Sequence, residues 1–302
     1  MLLILLAGVA GAHETAAGKK EDPAAINAGT IGPLVALLRS GGAEAQQNVA
    51  SVLRSLTSGD NNSYLVAIAR AGAIRPLVAL LRSDSALVQE EAATALCNLA
   101  MNDDNEVAIG RAGAIEPLVA LLRGSNAGAQ EAAAAALRNL ATNTDNQASI
   151  ARAGAIEPLV TLLRSGGVTL QEDVAGALHS LARKNADNRV AIARAGAIRP
   201  LVALLRGGSV GAQEQADWTL RVLAHNNADN QAAIARAEQE ATMPATTSVQ
   251  LKMSNRIYGI KVSFWGSGTL KIVIPVENHP QKRGSRLAWL IITPSLSGGG
   301  VN

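Results

Sequence analysis

A single phrase, Ile-x-Pro-Leu-Val-x-Leu-Leu-Arg, occurs five times in this 302-residue chain, or within one residue of that pattern, with prolines at Pro33, Pro76, Pro117, Pro158 and Pro200. The intervals are 43, 41, 41 and 42 residues. Thirteen residues after each proline stands a glutamine: Gln46, Gln89, Gln130, Gln171 and Gln213. A fixed internal layout at that period marks stacked structural repeats, in which each repeat buries its apolar face only against its neighbours. The period therefore constrains the fold more tightly than length does, since 302 residues would otherwise suggest two ordinary domains.

Residues 145–183 show what one repeat contains. Asp145 is expected to cap a short first helix that ends at Gly154, where glycine can take the left-handed conformation. Pro158 then fits only the first turn of a second helix, where its missing N–H is not needed. Ser165-Gly166-Gly167 stops that helix. A longer third helix is expected from Gln171 to Arg183, with Glu172 and Asp173 at its positive end and Arg183 at its negative end. Asp187-Asn188 opens the next repeat. The third helices have two faces. In the second repeat Ala92, Ala95, Leu96, Leu99 and Ala100 share an inward face, and Thr94, Asn98, Met101 and Asn102 share the other. Arg82, Arg123, Arg164 and Arg206 recur at the ends of second helices and are expected to cap them.

The repeat length, helix order, the Ala-Gly-Ala-Ile-x-Pro-Leu-Val-x-Leu-Leu phrase and the Asn-Leu-Ala endings at Asn98–Ala100 and Asn139–Ala141 resemble the armadillo repeats, nearest to those of plants, protists and the fungal vacuolar type. The resemblance covers residues 22–240. It implies an all-α, right-handed superhelical armadillo solenoid of about five three-helix repeats, counting one per phrase. It also implies that third helices line a concave groove for extended peptides, with an asparagine on each third helix bonding the peptide backbone. That position falls on Ser55, Asn98, Asn139, Ser180 and Val222. Nuclear-import adaptors of the family set a tryptophan four residues earlier. Here those positions are Ser51, Thr94, Ala135, Gly176 and Trp218, so the Trp/Asn array that holds basic import signals is missing.

The candidate groove is Thr94, Asn98, Met101, Asn139, Thr142, Ser180, Arg183, Trp218 and Val222. An amide offers donors and an acceptor to an extended backbone, but a solvated helix face also selects polar residues. Trp218 is either an interface anchor or ordinary inter-helix packing. Arg54, Arg138, His179 and Arg221 precede the column. They either favour acidic peptides or are solvated charges near helix C-termini. Cys97 reads as a small buried hydrophobe.

Hydrophobic residues make up 48% of the chain but aromatics only 2%, so alanine and leucine carry the apolar fraction, as closely packed helices require. The formal charge of +3 is uneven. Residues 242–302 hold seven Lys or Arg and one acid, Glu277, while the rest holds 20 basic and 23 acidic side chains. The repeats thus lack the basic surface of a nucleic-acid binder. His13, His179, His225 and His279 have no metal-ligand spacing, and no catalytic motif occurs. No cofactor, metal or enzymatic activity is expected.

Both ends depart from the array. Residues 1–12 resemble a signal peptide or a fragment of an upstream helix, too short to span a bilayer. Residues 1–21 form a leader, and Asp22–Gly29 a degenerate first helix. Asn61-Asn62-Ser63 is a glycosylation sequon if the leader is secretory. After Asp229–Ala237 a sixth repeat stops at one helix. Residues 241–302 are a non-repeat basic tail, disordered or a weak β-hairpin. Val249–Trp265 and Thr269–Val276 flank Gly266-Ser267-Gly268 there. The tail is either an appended module or a gene-model artefact. The expected protein is a monomeric scaffold or adaptor for a protein or peptide partner. The alternative is the substrate-binding portion of an armadillo-type ubiquitin ligase, although the 21 residues before Asp22 are too few for a U-box. A single cysteine suits the reducing cytoplasm. Secretion is the alternative if the leader is cleaved.

Overall fold

The computed structural model describes residues 31–58 and 62–242, together with four strands between Thr246 and Ile292. The leader, the segment Asp22–Gly29, Asn61 of the sequon, Gly266–Gly268, His13, His279 and the last residues lie outside the described residues. The chain divides into two compact parts, Met1–Ile234 and Ala235–Asn302.

Fifteen helices are described. The first repeat contributes its second and third helices, α1 (Gly32–Ser40) and α2 (Ala43–Thr57). The second repeat is α3 (Asn62–Arg70), α4 (Ile74–Leu80) and α5 (Ala86–Leu99). The third is α6 (Asp103–Arg111), α7 (Ile115–Leu122) and α8 (Ala127–Leu140). The fourth is α9 (Thr144–Arg152), α10 (Ile156–Ser165) and α11 (Val168–Ala182). The fifth is α12 (Ala186–Arg194), α13 (Ile198–Gly207) and α14 (Val210–Ala224), followed by α15 (Ala228–Thr242). Third helices stack as a ladder, α2 on α5 on α8 on α11 on α14. No single described helix is long and apolar enough to cross a membrane; α3 and α4 together are, but they meet at 84°.

Local chemistry explains the joints. Gly72, Gly113, Gly154 and Gly196 hold φ between 76° and 82° and turn first helices into second ones. An L-residue resists that conformation, so glycine is needed there. Position 238 carries glutamate instead. The chain has no left-handed stop, and α15 runs for 15 residues where the preceding first helices run for nine. Pro117, Pro158 and Pro200 are each the third residue of their helix, where no intrahelical N–H is lost.

Two expectations need correction. The first helices are capped by asparagine rather than by the aspartate that follows it. Asn143 Oδ1 accepts from the backbone N–H groups of Asp145 and Asn146 at 2.9 and 3.1 Å, and Asn102 and Asn185 act alike on Asn105 and Asn188. The third helix of the fourth repeat begins at Val168, not Gln171. Glu172 and Asp173 therefore lie past its first turn and do not serve the helix dipole.

The core is built from the predicted stripe. Ala92, Ala95, Leu96, Leu99, Leu137 and Leu140 are fully buried. Alanine lets adjacent third helices approach, and leucine fills the space between. The recurring glutamine has a local task. Its Nε2 donates to carbonyls where the second helix ends: Gln46 to Leu38 at 3.2 Å, Gln89 to Ser83 at 2.7 Å, Gln130 to Gly124 at 2.7 Å, Gln171 to Leu163 at 3.2 Å and Gln213 to Gly208 at 2.9 Å. These groups would otherwise be orphaned at a helix C-terminus.

In the C-terminal part, β1 (Thr246–Met253), β2 (Arg256–Trp265), β3 (Thr269–Pro275) and β4 (Leu287–Ile292) form an antiparallel sheet in sequence order. The β-rich stretch Val249–Trp265 is thus two strands, paired from Thr246↔Ser263 to Met253↔Arg256. The β2–β3 ladder runs through Trp265↔Thr269, on either side of Gly266–Gly268.

Candidate functional site: the third-helix column

The ladder of third helices presents the candidate residues in register. Thr94, Asn98 and Met101 stand on α5 and just past its end, and Asn139 and Thr142 hold matching places by α8. Ser180 and Arg183 belong to α11, and Trp218 and Val222 to α14. Thr94, Asn98, Asn139, Ser180 and Val222 are half-buried, and Thr142 and Arg183 are exposed. Two large apolar side chains stand in water on this face: Met101 is 63% exposed and Trp218 46%.

The two asparagines already bind protein. Asn98 Nδ2 donates to Thr57 Oγ1 at 3.1 Å, and Asn139 Nδ2 donates to the Cys97 carbonyl oxygen at 3.0 Å. Each bond crosses to the preceding third helix. Asn139 Nδ2 also stands 3.6 Å from Cys97 Sγ. Among the described residues neither Oδ1 has a partner, so each amide keeps an acceptor for a further ligand. Ser180, at the same place in the fourth repeat, accepts from Gln147 Nε2 through its backbone oxygen at 3.0 Å.

Trp218 leans on His179 of the preceding third helix, with ring centroids 6.1 Å apart and planes at 51°. Burial holds the imidazole below its ordinary pKa, and its Nδ1 is buried without a partner. Trp218 is therefore both packed on a neighbour and open to solvent.

Two of the arginines before the column are paired with acids of the following repeat. Arg54 Nε meets Glu91 Oε2 at 2.5 Å, and Arg138 Nη1 meets Asp173 Oδ1 at 3.3 Å. Both pairs join adjacent repeats. Arg138 lies so close to Gly176 that a Cβ there would stand 2.7 Å from its Nε, which accounts for a glycine inside a helix. Burial raises the Asp173 carboxyl, and the Arg138 guanidinium works against that rise. Where Cys97 replaces the arginine, Ala132 replaces the acid. Burial pushes the Cys97 thiol up to about 12, which favours the neutral form at physiological pH. Arg221 lacks an acid on a following third helix and pairs with Asp217 on its own at 2.8 Å.

Three of the second-helix arginines are bridges between repeats. Arg39, Arg123 and Arg164 donate through Nη2 to the carbonyls of Gly72, Gly154 and Gly196 at 3.2, 2.9 and 3.1 Å. Each reaches the turn of the next repeat.

One polar column escaped the sequence reading. Asn105, Asn146, Asn188 and Asn230 are buried near the starts of first helices. Asn105 Nδ2 donates to Leu65 and Leu99 carbonyls at 3.2 and 3.1 Å, Asn188 to Leu181 at 2.9 Å and Asn230 to Leu223 at 2.8 Å. The recurring Asp-Asn pair was the available signal, but the aspartate drew attention as a cap. The residue after this asparagine varies. Gln147 Nε2 donates to the Ala141 and Ser180 carbonyls at 2.9 and 3.0 Å. Its counterpart Glu106 accepts from Thr142 Oγ1 at 2.6 Å, leaves Oε1 buried and unpartnered, and has its carboxyl raised mainly by burial. Among the described residues no group of His, Cys, Asp or Glu could hold a metal ion.

Stacked three-helix repeats with a continuous ladder of third helices define a helical solenoid. The armadillo/β-catenin-like repeat profile matches residues 61–101, 102–142, 143–183 and 185–225. The chain belongs to the armadillo-repeat family. The first phrase, around Pro33, lies before these four matches and supplies α1 and α2. An engineered protein of known crystal structure is 35% identical, with TM-score 0.65, over 70% of this chain and 88% of its own. A designed armadillo repeat protein is 29% identical over 70% of this chain and 89% of its own, with TM-score 0.65. Another, solved in complex with the peptide (KR)4, is 28% identical over 72% of this chain and 92% of its own, with TM-score 0.64. Among curated proteins there is no significant match.

Proposed function

We propose that the third-helix column of this armadillo solenoid holds an extended peptide segment of a partner protein, and that the chain serves as a scaffold or adaptor. The observation that carries this reading is Trp218, 46% exposed at the same helical position as Thr94 and on the same ladder as the half-used amides Asn98 and Asn139. Partly exposed tryptophan side chains are frequent interface anchors. The peptide complex of a designed armadillo relative lends support.

That relative's peptide is strongly basic, and this column is arranged differently. Glu91 and Asp173 are held by Arg54 and Arg138, so these acids are neutralised from within the protein. Thr94 and Ala135 are small where Trp218 stands in the fifth repeat, and at Gly176 the Arg138 side chain fills that place. The column therefore suits a peptide with one large apolar side chain over Trp218 and an otherwise polar or neutral strand.

The test is selection from a random-peptide phage library on the full chain, followed by titration calorimetry. Selected peptides should lose about tenfold in affinity or more on Trp218→Ala, as interface tryptophans do. A smaller loss is expected on Asn139→Ala. Peptides that bind both variants as tightly as the parent protein would place the site off the column.

A further inference from the structure

Away from the column, a cleft of about 890 Å³ crosses three successive repeats. It is lined by Arg39 from the end of α1, Arg75 from the start of α4 and Arg111 from the end of α6. The remainder of its wall is Gln46, Gly72 and aliphatic residues, with no acid and no aromatic ring. None of the third-helix column residues lines it.

The same architecture recurs two repeats further on, and there the charges cancel. The second cleft, about 750 Å³, is lined by Arg123 and Arg194 at the places of Arg39 and Arg111. It also contains Glu157, where the first cleft has Arg75, and Asp187. The repeat framework thus supplies two arginines to each cleft. The clefts differ in the residue immediately before the recurring proline, Arg75 against Glu157, and in the Asp187 that lines only the second.

The repeat framework does not fix the charge at Arg75: the same place holds Glu116, Glu157 and Arg199 in the later repeats. Arg75 occupies the first turn of its helix, and Glu116 and Glu157 occupy that place in the third and fourth repeats. Acids are favoured there and bases disfavoured, because the exposed backbone N–H groups are positive. Arg75 is exposed and has no hydrogen-bond or ion-pair partner among the described residues. Arg111 likewise has none. Arg39 is held in position by its bond to the Gly72 carbonyl at 3.2 Å. One fixed and two unpartnered guanidinium groups therefore face a cleft of small-ligand size.

We propose that this cleft binds a compact small molecule carrying several phosphate charges. Guanidinium groups bind phosphate oxygens bidentately, and three of them without a neutralising acid match a polyanion. The absence of an aromatic lining gives a nucleobase nothing to stack on, so the phosphate groups themselves are the recognised part.

Inorganic tripolyphosphate is the probe, titrated calorimetrically into the full chain in buffer of physiological ionic strength. The expected result is saturable binding at one site. Arg75→Glu should weaken it tenfold or more, and this variant installs the residue that two sister repeats carry, so the fold accommodates it. Arg111→Ala, which adds no negative charge, should also weaken binding several-fold. Arg194→Ala, in the charge-balanced cleft, should change it less than twofold. Retained binding in Arg75→Glu overturns the proposal and assigns the polyanion to the basic residues after 242. Equal losses in Arg75→Glu and Arg194→Ala overturn it as non-specific attraction. No heat or saturation up to millimolar tripolyphosphate also overturns it. So does a phosphopeptide that binds the cleft when tripolyphosphate does not.

Discussion

Arg123 Nη2 donates at 2.9 Å to the carbonyl oxygen of Gly154, a residue 31 positions later in the chain. The donor ends a second helix, and the acceptor is the left-handed turn of the following repeat. The bond ties the two features that recur most regularly in the sequence, and it does so between repeats rather than within one. In a solenoid, stability is the sum of repeat and interface terms, so such bonds act at every junction where they form. Arg82 is the exception among the described residues: nothing stands within 4 Å of a Cβ placed on Gly113.

This bond should be measurable at the fourth repeat. Arg123→Ala is expected to destabilise by about 1 kcal/mol, the usual net value of a hydrogen bond, since the group is exposed. Gly154→Ala should cost roughly 1–2 kcal/mol, because alanine must then adopt the left-handed conformation. Urea denaturation followed by circular dichroism checks both. A Gly154→Ala protein as stable as the parent would mean that the turn does not require positive φ.

Glu106→Gln should stabilise the protein at neutral pH. Both Glu106 and Gln147, at the corresponding place in the next repeat, bury an unpartnered Oε1, but the Gln147 amide is neutral and donates to two carbonyls, which a carboxylate cannot do. The expected gain is about 1 kcal/mol, or a few degrees in Tm. The sign of the pH dependence follows from the raised carboxyl. The folded state holds its proton more tightly than the unfolded state, so the parent loses stability as pH rises through the carboxylate range. The advantage of the glutamine variant should shrink as pH falls below the ordinary glutamate value. Thermal melts at pH 4 and pH 7 decide it, and an advantage independent of pH would sink the explanation.

His179 should titrate below an ordinary histidine, because burial against Trp218 penalises the charged ring. The folded state then binds its proton more weakly than the unfolded state. The stability it contributes is present above the ordinary histidine pKa and is lost as pH falls below it. An NMR titration of the His179 ring should show the depressed value, and Trp218→Ala should bring it back towards the ordinary one. An unmoved midpoint in that variant would show that Trp218 does not shield the ring.

Asn98→Ala and Asn139→Ala should each cost about 1 kcal/mol of stability even without a ligand, because each removes a bond to the preceding third helix. Leu99→Ala should cost more, about 2–5 kcal/mol, through the cavity it leaves. Chemical denaturation of the three variants gives the ranking. Asparagine variants as stable as the parent would mean that the amides serve the groove alone.

The two faces of the third helix were legible before the fold was known. Met101 and Trp218 stand exposed on the helix face that periodicity assigned to the column, and the leucines assigned to the opposite face are buried. The pairing of Arg54 with Glu91 and of Arg138 with Asp173 also left a trace. An acid stands two residues after the conserved glutamine where the previous repeat has arginine before the column, and an alanine stands there where it has Cys97. That trace has meaning only once third helices are known to stack in register, so the arginines alone looked like solvated charge.

The repeat period, the three-helix order, the turns at Gly72, Gly113, Gly154 and Gly196 and the inward face of each third helix follow from local rules that the sequence states directly. Backbone preference at glycine and proline and the spacing of apolar residues act over a few positions, so they can be read in one dimension. Tertiary structure alone decided what the polar residues do. It chose Asn143 over Asp145 as the cap and buried Asn105 and Asn188. It turned Arg123 towards Gly154 and divided the amides of Asn98 and Asn139 between a neighbouring helix and the open groove. The reason is distance along the chain. A hydrogen bond or ion pair between residues 30 to 42 apart depends on how one repeat seats on the next, and a buried polar group takes whichever partner that seating brings within reach.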